Sequence, residues 1–528
     1  MSRPAIDRVF ERRLAALINS GQPQILQNGR KGVEKESLRV RPDGRLATTA
    51  QPRALGSALT NVHITTDYSE SLIELVTPPF TASWELLQYL LDLHQFVYSH
   101  LGDELLWATS MPCAIERDED IPIACYGSSH VGRMKTIYRR GLGLRYGRMM
   151  QAISGVHFNY SFPLPFWELY ADVRESRERG PDFISASYFD LLRNYRRHGW
   201  LVLYLFGVSP VVCKSFLRGR NFDLADYSSD TAFEPYATSL RMSDVGYRNR
   251  NQAGLAVSVN SLAEYVRDLT HAITSVHPPY AALGVKDASG AYQQVNANVL
   301  QIENEYYSFI RPKRVARSGE RPTKALQRAG VEYVEVRALD VSAFDPVGVN
   351  QNKLRFLEAF LALCLMKASA PIGTAEQDSL DGNHISVARR GREPGLQLWR
   401  DGRMVPMAAW AQELIDSMRG ICEVLDRGDA SQPYSHALAA QAAKLAEVAL
   451  TPSARLMAEL NENHESFFDL ALRMSKAHKA YFLELYAPNR ERVAEFTAQA
   501  QESLARQAAI EAGDQGTYED YVARYFAN

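Results

Sequence analysis

Acidic residues stand inside several short apolar runs of this chain, and this pattern limits the possible folds more than any other feature. The first run is GVEKESLRV, residues 32–40, in which Glu34 and Glu36 are separated by one residue. Its apolar residues are compatible with a strand or with a tightly packed helix. Side chains two residues apart in a strand point to the same face. If the run is a strand, the two carboxylates therefore share one space, and something in that space must tolerate like charges.

The same alternation recurs in SGVHFNYSF (154–162), NVLQIENEYY (298–307) and VEYVEVRALD (331–340), while Glu74 interrupts the apolar run LIELV (72–76). Each run predicts a strand with one polar and one apolar face. The predicted polar faces contain His157, Asn159 and Ser161; Gln301, Glu303, Glu305 and Tyr307; and Tyr333, Glu335 and Arg337. The apolar faces imply cover by helices, and helical patterns dominate after about residue 400. We predict an α+β fold, with a catalytic region at 1–404 and a helical region packed on it at 405–528.

The polar faces have two explanations. An antiparallel sheet commonly leaves one face in solvent, and that face also shows alternation. The second explanation is a partly dry cleft, in which clustered carboxylates need cations to remain charged. The residue types favour the cleft, because they are Glu, His, Asn, Tyr and Arg rather than Lys, Thr and Ser. Oxygen ligands with one imidazole suit Mg²⁺, with Mn²⁺ as an alternative, and such ions commonly bridge to substrate phosphates.

Basic residues that could meet a phosphate lie in IRPKRVARSGERPTK, residues 310–324, which includes Arg311 and Lys313. A solvated loop and a nucleic-acid patch are the alternatives, but a net charge of −2 gives no overall basic footprint. GSSHVGRM (127–134) has Arg133 where a P-loop needs Lys, so we exclude that motif. The pairs Tyr138–Arg139 and Arg241–Tyr247 suit the carboxylate of an amino acid, or are half-buried surface pairs.

The cysteine content and the N-terminal sequence predict a protein of a reducing compartment. Its five cysteines are odd in number and widely spaced, without a CxxC motif, which argues against a zinc cage or a disulfide framework. The N-terminal residues have scattered charges and do not form a secretory signal. The most apolar stretch, residues 200–213, is shorter than the roughly 20 residues that span a bilayer. We therefore expect a cytoplasmic protein that binds neither membranes nor nucleic acid.

Together the runs resemble one family. GVEKESLRV, ITTDYSESLIELVTP, YGSSHVGRMKTIYRRGL, QAISGVHFNYSFPLPFW, YATSLRMSDVGY, VLQIENEYYSFIRPKR and GVEYVEVRALD follow the order and spacing of the γ-proteobacterial glutamate–cysteine ligases. The resemblance implies a glutamine-synthetase-like fold, a curved antiparallel sheet forming a cradle with helices outside. It implies ATP-dependent ligation of the L-glutamate γ-carboxyl to the L-cysteine amine, through γ-glutamyl phosphate. This reaction is the first step of glutathione synthesis.

The resemblance also assigns roles to individual residues. It implies Mg²⁺ ligands at Glu34, Glu36, Asp67, Glu74, His157 and Glu335, and catalytic roles for Glu335 and Arg337. Substrate-pocket positions match Tyr138, Arg139, Arg241, Tyr247 and Tyr307, and we expect Arg311, Lys313 and Arg337 at the ATP phosphates. Glutathione is the implied feedback inhibitor, and a monomer is compatible with the resemblance. A ligase of the same superfamily with a different amine acceptor remains the alternative.

Overall fold

The computed structural model describes residues 7–220, 222–246, 255–317, 319–484 and 487–527. Its strands are β1 (Arg30–Val40), β2 (Ile64–Thr66), β3 (Leu72–Val76), β4 (Leu105–Leu106), β5 (Val156–Ser161), β6 (Val211–Cys213), β7 (Ala225–Asp226), β8 (Thr231–Phe233), β9 (Ile310–Lys313), β10 (Tyr333–Leu339), β11 (Gln397–Arg400) and β12 (Arg403–Pro406). The main sheet has the order β2-β3-β1-β5-β10-β9, with β4 paired to the end of β1. All of its pairs are antiparallel, as predicted.

The described residues also form 18 α-helices. They are α1 (Arg8–Asn19), α2 (Ser83–Tyr98), α3 (His130–Tyr146), α4 (Arg148–Gln151), α5 (Leu164–Val173), α6 (Gly180–His198), α7 (Trp200–Phe206), α8 (Leu262–Thr274), α9 (Pro278–Leu283), α10 (Pro322–Ala329), α11 (Gln351–Met366), α12 (Thr374–Arg390), α13 (Met407–Leu425), α14 (Pro433–Ala446), α15 (Pro452–Asn463), α16 (Phe467–Glu484), α17 (Arg490–Gly513) and α18 (Tyr518–Ala527). No described helix is both long enough and apolar enough to cross a membrane.

The apolar sides of the central strands form the largest core. Val33 of β1, Phe158 of β5 and Val334 of β10 are fully buried there, together with Leu192 of α6 and Leu357 of α11. Their neighbours along each strand point to the opposite face, because side chains alternate in a strand. The α+β prediction is confirmed, and the acidic face of the sheet lies opposite the helical cover.

The predicted strand at 298–307 is wrong. Residues Glu303–Glu305 form a turn of 3₁₀ helix, and the strand begins later, at Ile310. The two carboxylates are buried: Glu305 accepts a hydrogen bond from the Gln301 backbone N–H at 2.6 Å, and Thr323 of α10 donates to Glu303 at 2.5 Å. These bonds, one local and one to a distant helix, compete with a strand ladder. Alternation in the sequence therefore did not correspond to strand faces here.

The helical pattern predicted after about residue 400 agrees with the structure, where α13 to α18 lie. Residues 185–207 also form a buried helical segment, divided between α6 and α7 at Gly199. Thr451 caps α15, since its hydroxyl accepts from the Ala454 backbone N–H at 3.4 Å. His478 of α16 is half-buried, with Nε2 3.0 Å from the Ala343 carbonyl oxygen. The boundary at residue 404 stays a prediction.

One disulfide corrects the expectation drawn from the cysteine spacing. Cys113 and Cys213 are bonded, although 100 residues separate them. Both lie in a second core beneath β6, where they are 5% and 4% exposed. Cys125, Cys364 and Cys422 are free thiols. Wide spacing in the sequence concealed this pair because the fold, and not the local chain, brings the two residues together.

Candidate active site

Three ligand-type side chains meet at the centre of the acidic face. Glu34 of β1 lies directly opposite His157 of β5, and Glu36 of β1 lies opposite Glu74 of β3. The ligand atoms of Glu34, Glu74 and His157 all lie within 4.8 Å of one another. His157 Nδ1 is 3.0 Å from Glu34 Oε2, and Asn159 donates to Glu34 Oε1 at 2.9 Å. The antiparallel register thus brings together residues that are about 120 positions apart.

Glu36 and Glu74 form the most strongly perturbed part of this cluster. Burial raises the pKa of Glu36 to about 8, and the nearby Asp67 carboxylate adds to the effect. Burial also raises the pKa of Glu74 well above its usual value, with further contributions from Glu34, Asp67 and Glu36. Glu36 accepts one hydrogen bond from the Gly155 backbone N–H, at 2.7 Å. Arg241 and Arg337 lower the pKa of Glu36, and Arg139 lowers that of Glu74, but they do not offset the burial.

The cluster fits a hard divalent cation. Its donors are carboxylate oxygens and one imidazole nitrogen, the set that Mg²⁺ and Mn²⁺ accept. The Oδ1 atom of Asn159 is buried without a hydrogen-bond partner among the described residues, so it is a further oxygen in the same place. A cation would offset both the burial and the repulsion that raise the two pKa values. Glu34, Glu74 and His157 are therefore the residues best placed to hold a metal ion.

Glu335 on β10 lies in a different electrostatic environment. It accepts from Lys313 Nζ at 3.2 Å and from Arg337 Nη1 at 3.3 Å. Burial alone would raise the pKa of Glu335, but Lys313 and Arg337 hold it well below its usual range. Glu335 in turn helps to raise the pKa of Arg337. Two cations donate directly to this carboxylate and keep its pKa low, whereas the pKa values of Glu36 and Glu74 are raised.

The predicted substrate and phosphate arginines donate hydrogen bonds to backbone carbonyl oxygens. Arg139 donates to the Asp67 carbonyl oxygen and lies 4.4 Å from the ring centroid of Tyr126. Arg241 is buried, and its Nη2 donates to the Arg337 carbonyl oxygen at 3.2 Å. A Cβ at Gly155 would collide with this guanidinium, so a larger residue before β5 would have to displace the Arg241 side chain. Arg311, at 8% exposure, donates to the Asn304 and Tyr306 carbonyl oxygens.

A cavity of about 1020 Å³ opens beside these groups. Seven predicted residues line it: Glu36, Asp67, Tyr138, Arg139, Tyr307, Arg311 and Arg337. Glu34, Glu74, His157, Glu335, Lys313 and Arg241 do not contribute to the lining formed by the described residues and lie around it. Tyr247 falls outside the described residues.

Sequence reasoning missed the far wall of the cavity. This wall includes Ser258, Asn260, Asp268, Gln377 and Asp381, from the segment before α8, from α8 itself and from α12. These residues occur in ordinary amphipathic or loop sequence, so no motif marks them. Arg145, also missed, is fully buried and donates to Glu305 at 2.9 Å, joining α3 to the turn that precedes Tyr307.

Comparisons with known proteins agree with this arrangement. The profile of the glutamate-cysteine ligase family matches residues 14–387. The chain is 49% identical over 524 residues to a glutamate–cysteine ligase of Alcanivorax borkumensis, covering 98% of this chain and 99% of the relative. It is 46% identical over 523 residues to the Pseudomonas putida protein of the same name, covering 99% of each.

Solved structures show the same relationship. A glutamate–cysteine ligase of Francisella tularensis in complex with AMP has a TM-score of 0.89 and 37% identity, covering 95% of this chain and 98% of that one. A bifunctional glutathione synthetase of Pasteurella multocida shares the fold, with a TM-score of 0.72 at 22% identity over 92% of this chain and 58% of that one. The matches extend over nearly all of the chain, and the chain belongs to the glutamate–cysteine ligase family.

Proposed function

We propose that this chain joins the γ-carboxyl group of L-glutamate to the amine of L-cysteine, at the expense of ATP, in the first step of glutathione synthesis. The observation that carries the proposal is the cluster of Glu34, Glu74 and His157 on the sheet, next to a cavity lined by Arg311 and Arg337. Clustered carboxylates suit a metal-bound nucleotide, and the arginines suit phosphate oxygens. Membership of the glutamate–cysteine ligase family supports L-glutamate and L-cysteine as the substrates.

We assign the cation to Glu34, Glu36, Asp67, Glu74, His157 and Glu335. Bound Mg²⁺ would offset charge on the phosphate oxygens of ATP. Glu34, Glu74 and His157 are the nearest to one another, whereas Asp67 and Glu36 lie at the cavity wall. Glu335, held by Lys313 and Arg337, keeps its negative charge and orients Arg337 through the bond at 3.3 Å. Mn²⁺ is the alternative ion for the same donors.

The chain's own cations act on the transferred phosphoryl group. A carboxylate has no leaving group at neutral pH, so its oxygen must first attack the γ-phosphorus of ATP, which gives γ-glutamyl phosphate and ADP. Arg337, Arg311 and Lys313 would bind phosphoryl oxygens as charge develops on them. The cysteine amine then attacks the acyl carbon, loses a proton, and expels phosphate. The reaction needs no reactant besides the two amino acids and ATP.

The remaining assigned residues orient the two amino acids. Arg139 and Arg241 are suited to α-carboxylates because a guanidinium binds a carboxylate with two parallel hydrogen bonds. Tyr138 and Tyr307 line the same cavity, and Tyr247 completes the set by resemblance. Holding the amine against the acyl phosphate replaces an encounter in solution, and excluding water protects the intermediate from hydrolysis. A cytoplasmic location, inhibition by glutathione and a monomeric state belong to the same proposal and rest on the family resemblance.

ADP release by the purified protein tests the function. The assay contains ATP and Mg²⁺, with L-glutamate and L-cysteine added singly and together. We expect strong release only with both, and mass spectrometry against synthetic γ- and α-linked dipeptides identifies the bond. Release with glutamate that does not respond to cysteine would contradict the choice of acceptor and support a ligase for another amine. No release under any condition would contradict the whole proposal.

A further inference from the structure

The two last helices of the chain, α17 and α18, lie beyond the part that matches the family profile, yet they contact the helix that carries Tyr138 and Arg139. That helix, α3, begins at His130. The segment from Glu511 to Ala527 packs along its N-terminal half. We call this segment the C-terminal clamp, and the contacts that it makes with α3 are of two kinds.

Polar contacts fix the start of α3. The Glu511 carboxylate accepts from the Ser128 backbone N–H at 2.8 Å, and the Asp514 carboxylate accepts from the His130 backbone N–H at 2.5 Å. His130 Nε2 is 3.2 Å from the Gly516 carbonyl oxygen. The first N–H groups of a helix have no partner within the helix, and negative charge is favourable there. Asp514 therefore stabilises the first turn from outside the helix.

Apolar contacts hold the next two turns. Tyr518 is only 2% exposed and forms a small core with Met134, Ile137 and Val295. The guanidinium of Arg133 lies 4.7 Å from the Tyr518 ring centroid. Tyr138 packs at the edge of this small core and also at the edge of the second core around the disulfide. The side chain that we assign to the substrate pocket is thus held between the clamp and the body of the protein.

The clamp also holds the segment that faces α3. Glu519 accepts from Lys286 at 3.0 Å and from the Tyr292 hydroxyl at 2.9 Å. Further along that segment, Gln301 donates to the Tyr138 carbonyl oxygen at 3.1 Å. A single element therefore ties α3 to residues 286–302, which lead through the 3₁₀ turn to Tyr307.

The rest of the protein anchors α17 firmly. The Ser503 hydroxyl of α17 accepts from the Ser57 backbone N–H at 3.0 Å, and the Thr60 hydroxyl donates to the Ser503 carbonyl oxygen at 2.5 Å. At Gly56, a Cβ would lie 2.9 Å from the Ala500 Cα, so the helix and this loop are in close contact. A 24-residue helix spans about 36 Å, so α17 carries the chain from this anchor to α3.

We propose that the C-terminal clamp positions Tyr138 and Arg139 for binding of the amino acids, with Tyr518 as its central residue. The proposal rests on the proposed function, because it takes the roles of Tyr138 and Arg139 from there. Tyr518 touches neither substrate nor reacting atoms and acts through α3. The clamp gives the tail of the chain a role in substrate affinity, beyond general stability.

The test compares three variants of the full chain. Tyr518→Ala removes the ring, and Tyr518→Phe keeps it while removing a hydroxyl that has no partner among the described residues. Tyr89→Ala is the matched control, because Tyr89 is also 2% exposed and packs against α17, but away from α3. For each protein we would measure kcat, the KM values for glutamate, cysteine and ATP, and the hydrogen exchange of peptides from residues 130–146.

We expect Tyr518→Ala to raise the KM for at least one amino acid by about tenfold, within the roughly 100-fold that misplacing a positioning group by 1 Å can cost. The KM for ATP should stay near the wild-type value, and exchange should accelerate in α3. Tyr518→Phe should have wild-type KM values and wild-type exchange in α3. Tyr89→Ala should lower thermal stability without changing the KM values or the exchange in α3.

Equal KM changes in Tyr518→Ala and Tyr89→Ala would overturn the proposal, because they would report general destabilisation. Faster exchange in α3 with unchanged KM values would also overturn it, because the contact would then be only structural. If ADP release by the wild-type protein does not increase when both amino acids are added, the proposed function is contradicted instead. The wild-type assay is therefore run first.

Discussion

A buried ion pair beneath the sheet allows the sharpest quantitative prediction. Lys31 of β1 and Glu358 of α11 are both fully buried, with Nζ 2.5 Å from Oε2. Glu358 also accepts from the Tyr434 hydroxyl at 2.7 Å. Lys31 alternates with Glu34 along β1 and so points to the helical side. The pair therefore joins the central strand to its covering helix without entering the site.

Replacing one residue of this ion pair should lower the stability of the folded protein. Glu358→Gln leaves the Lys31 ammonium without an anionic partner in a dry environment, and breaking a buried pair in this way typically costs about 3–5 kcal/mol. Unfolding of 528 residues as one unit has an entropy of about 1.1 kcal/mol/K, so the melting temperature should fall by about 3–5 °C. Lys31→Met combined with Glu358→Leu removes both charges, and such replacements are often neutral.

Thermal unfolding of the wild-type protein, the single variants and the double variant measures this. We expect the double variant to regain most of the stability lost by either single variant. The kcat at 20 °C should remain near the wild-type value in all of them, since the pair lies opposite the carboxylate cluster. A double variant that is less stable than both single variants would refute the reasoning, because the pair would then contribute net stability.

Three further outcomes are expected. Glu34→Gln should keep the fold but weaken Mn²⁺ binding, measured by paramagnetic resonance, by more than the roughly 10–100-fold that outer-shell changes cost, and near-normal turnover would contradict the metal assignment. Burial lowers the pKa of His478 to about 4, whereas the unfolded chain binds this proton at a pH of about 6.5. As pH falls from 6.5 to 4, protonation therefore favours the unfolded chain, and up to about 3 kcal/mol of stability should be lost. His478→Asn should flatten this part of the plot of melting temperature against pH. Cys113→Ala with Cys213→Ala should cost up to about 4.7 kcal/mol, the chain-entropy value for a loop of about 100 residues, and an unchanged melting temperature would contradict it.

The faces of the central strands were predictable because the side-chain period of a strand is fixed. Glu34 and Glu36 do share a face, and so do Glu335 and Arg337, since both pairs lie within regular strands. Each such prediction needs only local sequence. The pairing of Glu34 with His157 needed more, because the two residues come from strands separated by α2, α3 and α4. The polar faces predicted a cleft with carboxylates and one imidazole, and the resemblance to a family assigned Glu34 and His157 individually as ligands of Mg²⁺.

The failures have a common physical origin in tertiary contacts. Glu303 and Glu305 alternate with apolar residues as a strand would, but partners on α3 and α10 hold them in a buried turn. The far cavity wall and the disulfide depend equally on distant segments that meet only after folding. A local pattern cannot distinguish a carboxylate that faces a cleft from one that is bound by an arginine elsewhere in the chain.

The acidic face contains two kinds of carboxylate, and the difference bears on how the site works. Glu335 is balanced by Lys313 and Arg337, so it is charged whether or not a ligand is present. Glu36 and Glu74 are buried and crowded by other carboxylates, and both effects raise their pKa values. A bound cation favours the charged form of these two carboxylates, so its affinity for them should increase with pH. The sheet thus combines a carboxylate that its own cations keep charged, and that positions Arg337, with two carboxylates whose charge a bound cation would stabilise.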